Sequence, residues 1–376
     1  MQLSIIKETR EFENRVAMVP DVASKLTSAG IDILMESGAG LASGFSDDAY
    51  LNKGIKIAKT RDQALSGADI VAKVQPFTED ELNSISDSIT TLSFLAPGSF
   101  PDIIKKMAKK SMTAFSFELL PRISRAQSMD ALSSQATVSG YLATLTCAVN
   151  LPLFFPMFMT AAGTVPPAKV FVMGAGVAGL QAIATARRLG ANVRAYDVRS
   201  AAADEVKSLG ATFVVLELEN QEGAGGYAKE QSAEFIAKQQ ELMTDQVAQC
   251  NVIITTAAIP GRPAPKLLTQ NMVEAMAAGS VVFDLAAESG GNCELSKPGE
   301  TIIHKGVKII GARNVPSQLP THASFLYARN VAELVNLMTK DSKFEPDFED
   351  EIISGSCVIQ NGSIVNEMTK QLLGDS

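Results

Sequence analysis

The sequence predicts an α/β protein made of two doubly wound parallel-sheet domains, the second inserted into the first. Three observations carry that prediction. At 376 residues the chain exceeds what one ordinary core accommodates. Short strand patterns alternate with helical ones in two runs, one ending near residue 120 and one starting near residue 168. A long helical pattern, "PTHASFLYARNVAELVNLMT", then returns the chain toward its beginning. The expected domains are 1–132 together with 318–376, and 133–317.

In the first run "QLSIIK" reads as a strand, and "PDVASKLTSAG" as an amphipathic helix stopped by Gly30. "IDILME", "KIAK", "ADIVAKV", "TTLSFLA" and "MTAFSFEL" follow as strands, with helical pieces such as "EDELNSI" and "PDIIKKMAKKS" between them. "ESGAGLASG" is glycine-rich, but no apolar-faced helix starts directly after it, so it reads as a loop. Next comes "PRISRAQSMDALSSQATVSG", dense in directional hydrogen-bonding groups and followed by a charge-free stretch. It is either a solvated turn or the rim of a site that holds something polar. An apolar connecting helix is expected at about 134–149. The second run offers six strands, "KVFVMG", "NVRAYD", "TFVVLEL", "NVIITTAAI", "SVVFDLA" and "VKIIGA". In the tail, Asn361-Gly362 is a hairpin turn signal, and helix and tail are expected to pack on the first domain.

Composition excludes several classes. Net charge is −8, with no basic block and no aromatic–basic interleaving, so nucleic acid is not an expected partner. Four scattered cysteines without a CxxC pair encode neither a zinc site nor a disulfide framework, and no metal is expected. No apolar signal segment follows Met1. Ala131 to Ala168 carries no charge, yet Pro152, Pro156, Pro166 and Pro167 interrupt it and "SSQATVSG" is too polar for lipid. A buried helix followed by an apolar loop, partly covered by a neighbouring subunit, is the expected arrangement.

The strongest motif is Gly174-Ala175-Gly176-Val177-Ala178-Gly179. An apolar strand precedes it, the helix "LQAIATARRLG" follows, and the next strand ends in Asp197 at the spacing of a Rossmann dinucleotide site. Gly174 permits the tight turn, Gly176 lets backbone amides approach a pyrophosphate, and Gly179 lets helix pack on strand. The helix start supplies N–H donors and a positive dipole end. Asp197 would accept from the adenosine ribose hydroxyls and repel a 2′-phosphate, favouring NAD(H) over NADP(H). Arg199, two residues on, works in the opposite sense.

Acid–base machinery is sparse. The two histidines, His304 and His322, read as capping or surface groups. Lys73 in "AKVQP" is an acid–base candidate, although a lysine after a strand is expected to be solvated. "QEGAGGYAKE" (221–230) combines Gly-Ala-Gly-Gly freedom with an apolar tip at Tyr227, as a lid or a simple linker.

"KETREFENRVAMVPDVASKLTSAG" and "VMGAGVAGLQAIATARRLGANVRAYD" resemble two signatures shared by alanine dehydrogenases and proton-pumping nicotinamide nucleotide transhydrogenases. "PRISRAQSMDALSSQA", "MTAAGTVPPAKV", "GGYAKE", "TTAAIPGRPAP", "DLAAESGGNCELS" and "GARNVPS" extend the resemblance along the chain and toward the transhydrogenase branch, specifically its NAD(H)-binding peripheral component. The resemblance implies a homodimer whose protomers each hold NAD(H) in a cleft between two domains. It implies direct hydride exchange with NADP(H) on a separate component, coupled to protons by a membrane proton-channel component. The chain is then peripheral to the inner membrane on its cytoplasmic side (or the mitochondrial-matrix equivalent), with membrane parts on other chains. Residue by residue, Arg122, Gln127, Asp130 and Ser133 match the loop at the nicotinamide end, with Gln127, Arg122 and Asp130 as the catalytic set. Gly174, Gly176, Val177, Ala178, Gly179, Asp197, Val198 and Arg199 match the adenosine and pyrophosphate site, joined by Ala258 and Gly261. Gly226 and Tyr227 match a loop that closes over the nucleotide.

One independent argument agrees. Direct transfer between two nicotinamides moves a hydride and no substrate proton, so it requires positioning rather than a histidine. Two other readings stand beside it. One is an alanine dehydrogenase-like enzyme using Arg15 and Lys73 on a carboxylate and imine, against which the missing histidine in "TTLSFLAPGS" counts. The other is a non-catalytic NAD-binding module.

Overall fold

The computed structural model describes residues 1–215, 243–258 and 263–374. The chain divides into two compact units, Met1–Gln135 with Pro316–Ser376, and Ala136–Val315. Each is an α/β unit around its own sheet.

The first unit holds eight strands in the order Ser363–Ile364, Cys357–Gln360, Thr113–Ser116, Thr90–Ser93, Ile70–Ala72, Gln2–Ile5, Asp32–Glu36, Lys56–Ala58. The six N-terminal strands are parallel, and the two from the tail are antiparallel. Alternation along each strand feeds one core on each face. Ile70 and Ala72 join Leu3, Ile5, Leu92 and Tyr327 in one, while Val71 joins Ile6, Ala114 and Ile359 in the other. Three helices, Pro20–Ser28, Pro101–Lys109 and Pro320–Leu337, open on proline, whose missing N–H costs nothing in a first turn. The tail packs where expected. Asn361 and Gly362, at φ 47° and 83°, make the tight turn whose leading strand pairs with Thr113–Ser116.

The second unit holds seven strands in the order Thr212–Phe213, Asn192–Tyr196, Lys169–Met173, Val252–Thr255, Val281–Asp284, Val307–Gly311, Thr301–His304. The order reverses beside Lys169–Met173, the doubly wound switch point. Val170, Val172, Ile254 and Phe283 line one core, and Phe171, Met173, Ile253 and Val282 the other. All of these strands are parallel except Thr301–His304, which pairs antiparallel with Val307–Gly311. Both sheets are therefore parallel in their centres and mixed at one edge.

The connecting helix runs over Ala131–Asn150. Within the second unit its Gly140 lies against the start of helix Val177–Arg188, and Thr144 Oγ1 reaches the Ala182 carbonyl at 3.2 Å. The expected burial of the charge-free stretch holds only in part. After the helix, Leu153, Phe154, Met157 and Phe158 are exposed, and Met159 keeps 76% of its surface. These side chains sit on and before a two-stranded hairpin, Phe158–Thr160 with Gly163–Val165, and every residue of both strands is exposed in the single chain. No helix among the described residues is long and apolar enough to cross a membrane.

Gly140 makes the helix contact testable. A Cβ there would stand 2.0 Å from the Ala178 carbonyl oxygen, which is backbone and cannot rotate away. Gly140→Ala is expected to lower stability by about 1–3 kcal/mol, read as a lower urea midpoint at unchanged m-value.

Candidate functional site

Strand Lys169–Met173 ends in a turn that both flanking strands hold. Gly174, at φ 106°, donates its N–H to the Tyr196 carbonyl at 2.8 Å and accepts from Thr256 Oγ1 at 3.0 Å. Its carbonyl oxygen presses on the following helix: a Cβ on Gly179 would lie 1.9 Å from it. Gly179 is thus glycine for packing and Gly174 for its left-handed backbone. Gly176 differs, because a Cβ there would meet nothing within 4 Å. Nothing in this chain's packing asks for a glycine at that position. Gly176 and Val177 are exposed, and the first turn of helix Val177–Arg188 has no side-chain cap. Orphan backbone donors of that kind, at the positive end of a helix, suit an anionic group.

Asp197 stands beside this turn. Oδ2 accepts from the Ala175 amide at 2.8 Å, and Oδ1 from the Arg199 amide at 2.8 Å. The Arg199 side chain closes on the same carboxylate, with Nε 3.0 Å from Oδ1 and Nη2 3.1 Å from Oδ2. That pairing raises the Arg199 pKa above its usual value. Val198 is half-buried next to them.

The strand ends on the other side are fixed from the loop after Val281–Asp284. Buried Asp284 accepts from Thr255 Oγ1 at 2.9 Å and from the Ala286 and Cys293 amides at 3.0 Å. Buried Asn292 accepts from the Ala257 N–H at 3.0 Å and donates to the carbonyls of Ala257 and Pro265, both at 2.8 Å. Ala258 follows as an exposed residue. Gly226, Tyr227 and Gly261, together with the lid segment, lie outside the described residues.

In the first unit Arg122 and Gln127 are exposed on the loop before the connecting helix. Asp130 acts on that helix's start: Oδ1 accepts from the Ser133 amide at 2.9 Å and Oδ2 from Ser133 Oγ at 2.6 Å, the bonding of an N-cap. Two tethers hold the loop. Asn330 Nδ2 donates to the Ser128 carbonyl at 2.8 Å while Asn330 Oδ1 accepts from Ser134 Oγ at 2.7 Å. Arg125 forks onto Asp350 at 2.5 and 2.9 Å, which holds the Asp350 carboxyl below the usual range. Asn330 and Asn292 are invisible to sequence reasoning, since neither sits in a motif.

Lys73 corrects an expectation. It is not solvated but 0% exposed, with Nζ 2.6 Å from Glu81 Oε2 and 3.4 Å from Glu8 Oε2. Its main chain ends a central parallel strand, and its side chain shares the sheet face that buries Val71. Burial and competition for one ammonium split the two acids. Glu81 lies closer and, despite burial, is held below the usual range by Lys73; burial pushes Glu8 up to about 7. Arg15, 4% exposed, is forked by Glu13 at 2.8 and 2.6 Å and reaches Gln135 Oε1 at 2.9 Å. In "TTLSFLAPGS", Phe94 packs against Phe117 and Tyr327, with ring centroids 6.3 and 5.5 Å away. His304 bonds Glu274 at 2.8 Å on the surface of the second unit, and His322 is exposed. Among the described residues no cluster of His, Cys, Asp or Glu is arranged to hold a metal ion.

With this geometry in hand, comparisons with known proteins agree with one another. Family models described as "Alanine dehydrogenase/PNT" match twice, the N-terminal domain over residues 4–139 and the C-terminal domain over 143–367. The chain is 47% identical to the first of the proteins that make up the NAD(P) transhydrogenase alpha subunit of Rhodospirillum rubrum, over 97% of this chain and 98% of that protein. It is 28% identical to "Alanine dehydrogenase 1" of Staphylococcus aureus, over 98% and 95%. Its fold matches a crystal structure of transhydrogenase from Sinorhizobium meliloti with a TM-score of 0.89 at 41% identity, covering 97% of this chain and 100% of that one.

Glu8 has a measurable consequence. Its ordinary pKa of 4.5 governs the unfolded chain and about 7 the folded one, so between those values the native state holds more protons. Stability from this group is complete below the lower value, falls as pH rises through the window, and stays lost above it. Glu8→Gln cannot titrate, so its stability relative to the wild type is expected to rise by about 1–3 kcal/mol between pH 5 and pH 8. Urea titrations at the two pH values check this.

Proposed function

This chain belongs to the alanine dehydrogenase/PNT family, and we propose that it is the NAD(H)-binding component of a proton-translocating nicotinamide nucleotide transhydrogenase. In this reading, hydride passes directly and reversibly between NAD(H) here and NADP(H) on a partner component. A membrane component couples the transfer to proton movement, and this chain sits peripherally on the cytoplasmic side of the inner membrane or its mitochondrial-matrix equivalent.

The observation that carries the reading is the uncapped, exposed helix start at Gly176 and Val177, with the Asp197 carboxylate beside it. The two ends of that arrangement suit the two ends of an adenosine diphosphate: anion-binding amides for the pyrophosphate and an acceptor for ribose hydroxyls. Gly176 lacks a side chain that the protein itself would have accommodated, as expected where a ligand needs the space. We assign residues 133–317 as the domain that holds the nucleotide, through Gly174, Gly176, Val177, Ala178, Gly179, Asp197, Val198, Arg199 and Ala258, with Gly226, Tyr227 and Gly261 added from the resemblance. Residues 1–132 and 318–376 form the other domain, and Arg122, Gln127, Asp130 and Ser133 are assigned to the nicotinamide end.

The bound nicotinamide supplies the hydride chemistry. The chain's share is position. Asn330 and the Arg125–Asp350 pair brace the loop that carries Gln127, so its amide can be presented at a defined place. A homodimer is part of the proposal. The hairpin at Phe158–Thr160 and Gly163–Val165, with Phe154, Met157 and Met159 uncovered, supports it. The alanine dehydrogenase-like reading fares worse, because Arg15 and Lys73 spend their charge on Glu13, Glu8 and Glu81.

Two measurements test the proposal. Mixed with an NADP(H)-loaded transhydrogenase component, the chain is expected to exchange hydride in stopped-flow, and Gln127→Asn to slow that step by roughly tenfold to 100-fold with NADH affinity retained. An unchanged rate in the variant removes Gln127 from its role. NADH binding with no transfer in the wild type leaves only a binding module. Incubated with alanine and NAD+, the chain is expected to form no NADH, and its formation would favour the dehydrogenase reading.

A further inference from the structure

We propose that Arg199 is a latent ligand for a 2′-phosphate, kept out of use by Asp197, so that this site is one substitution away from accepting NADP(H). The inference rests on the reading of this site as a nicotinamide dinucleotide site. What it adds is the means by which one dinucleotide is told from the other.

The argument starts from the saturation of Asp197. A carboxylate offers about four acceptor positions. Here four donors occupy them: the amides of Ala175 and Arg199, and Arg199 Nε and Nη2. The guanidinium meets the carboxylate edge-on with two prongs, the geometry in which arginine also grips a phosphate. Asp197 therefore does two things at once. It places negative charge where a 2′-phosphate would stand, and it occupies the cation that would neutralise that phosphate.

The two partners are unequal in freedom. The Asp197 side chain is 9% exposed and fastened to the turn by the Ala175 amide, whereas the Arg199 side chain is 33% exposed. On arrival of a ribose diol, the guanidinium is the partner that can give way while the acid stays. With Asp197 neutralised, the same guanidinium is already in place, at the end of the strand next to the glycine turn where dinucleotide folds read the 2′ position. No new positive charge has to be added.

Asp197→Asn tests this, because it removes the charge yet keeps an oxygen for the Ala175 amide. Asp197→Ser, which also keeps an acceptor, is made alongside so that the outcome does not hang on one variant folding. NADH and NADPH are titrated into the full-length wild type, each single variant, Arg199→Ala, and the Asp197→Asn/Arg199→Ala double variant, by calorimetry. The wild type is expected to bind NADH and discriminate against NADPH. Neutralising Asp197 is expected to weaken NADH by about tenfold and tighten NADPH by about tenfold or more. That gain is expected to shrink at high salt and to vanish in the double variant, while Arg199→Ala alone stays closed to NADPH. No NADPH gain on neutralising Asp197 overturns the proposal, and so does a gain that survives loss of Arg199, since charge repulsion alone would then explain the selectivity. A folded wild type that binds neither dinucleotide overturns the underlying site reading instead.

Discussion

The contact of the Gly174 carbonyl with Gly179 is the constraint on which the second unit depends. A strand must become a helix within a few residues, and the reversal brings a backbone oxygen to where any side chain at position 179 would stand. Once that contact is made, the helix start is fixed relative to the sheet. The neighbouring strands then secure it, through the Tyr196 carbonyl and Asp197 on one side and Thr256 on the other. A low-energy turn would not need such support. The bracing stops at the helix-start donors, and those face outward.

The two units use the same sheet edge in opposite ways. In both, the polar residues gather where parallel strands end, as expected for doubly wound sheets. In the first unit they satisfy one another: Lys73 lies between Glu8 and Glu81, and Arg15 between Glu13 and Gln135. Fixed charges compensated this closely leave little electrostatic demand for a ligand, while removing any one of them would strand its partner in a buried setting. Glu81 also closes a capping box with Thr78, so the cluster is tied to a helix start as well. In the second unit Asp284 and Asn292 are consumed by loop backbone, and the donors at Gly176 and Val177 are left over. The difference between a structural cluster and a candidate site lies in what remains unsatisfied.

Much of this is legible in the sequence, for identifiable reasons. Continuous apolar runs such as "KVFVM" and "NVIIT" announce strands buried on both faces, and the glycine spacing with Asp197 announces the turn. Asn361-Gly362 announces its own hairpin because few residue pairs adopt two left-handed conformations in succession. The antiparallel strand Thr301–His304 is not legible there, since its pairing direction depends on a turn through Lys305 and Gly306 that carries no strong signal. The burial of Lys73 escapes the same reading because local sequence shows only a lysine after a strand. It does not show Glu8, 65 positions earlier, or that Glu81 folds back over it. Asn330 and Asn292 likewise gain their roles only from partners brought close by the fold.

Asp130 shows why residue type and spacing cannot alone separate architecture from chemistry. Its carboxylate already holds the start of the connecting helix through Ser133, a sufficient reason for both residues to be what they are. The same bonds orient the carboxylate and the hydroxyl and keep them from turning to solvent, which is also what a group must have if it is to place a ligand. Capping and positioning are here the same set of bonds. What separates them is the neighbouring loop: a helix cap alone gives no reason for Asn330 to hold the Ser128 carbonyl from some 200 residues away, or for Asp350 to fork Arg125. Those tethers stiffen the segment between Ser124 and Met129, whose exposed members include Gln127. Rigidity spent on an exposed loop is the mark of a surface that must present something in one place.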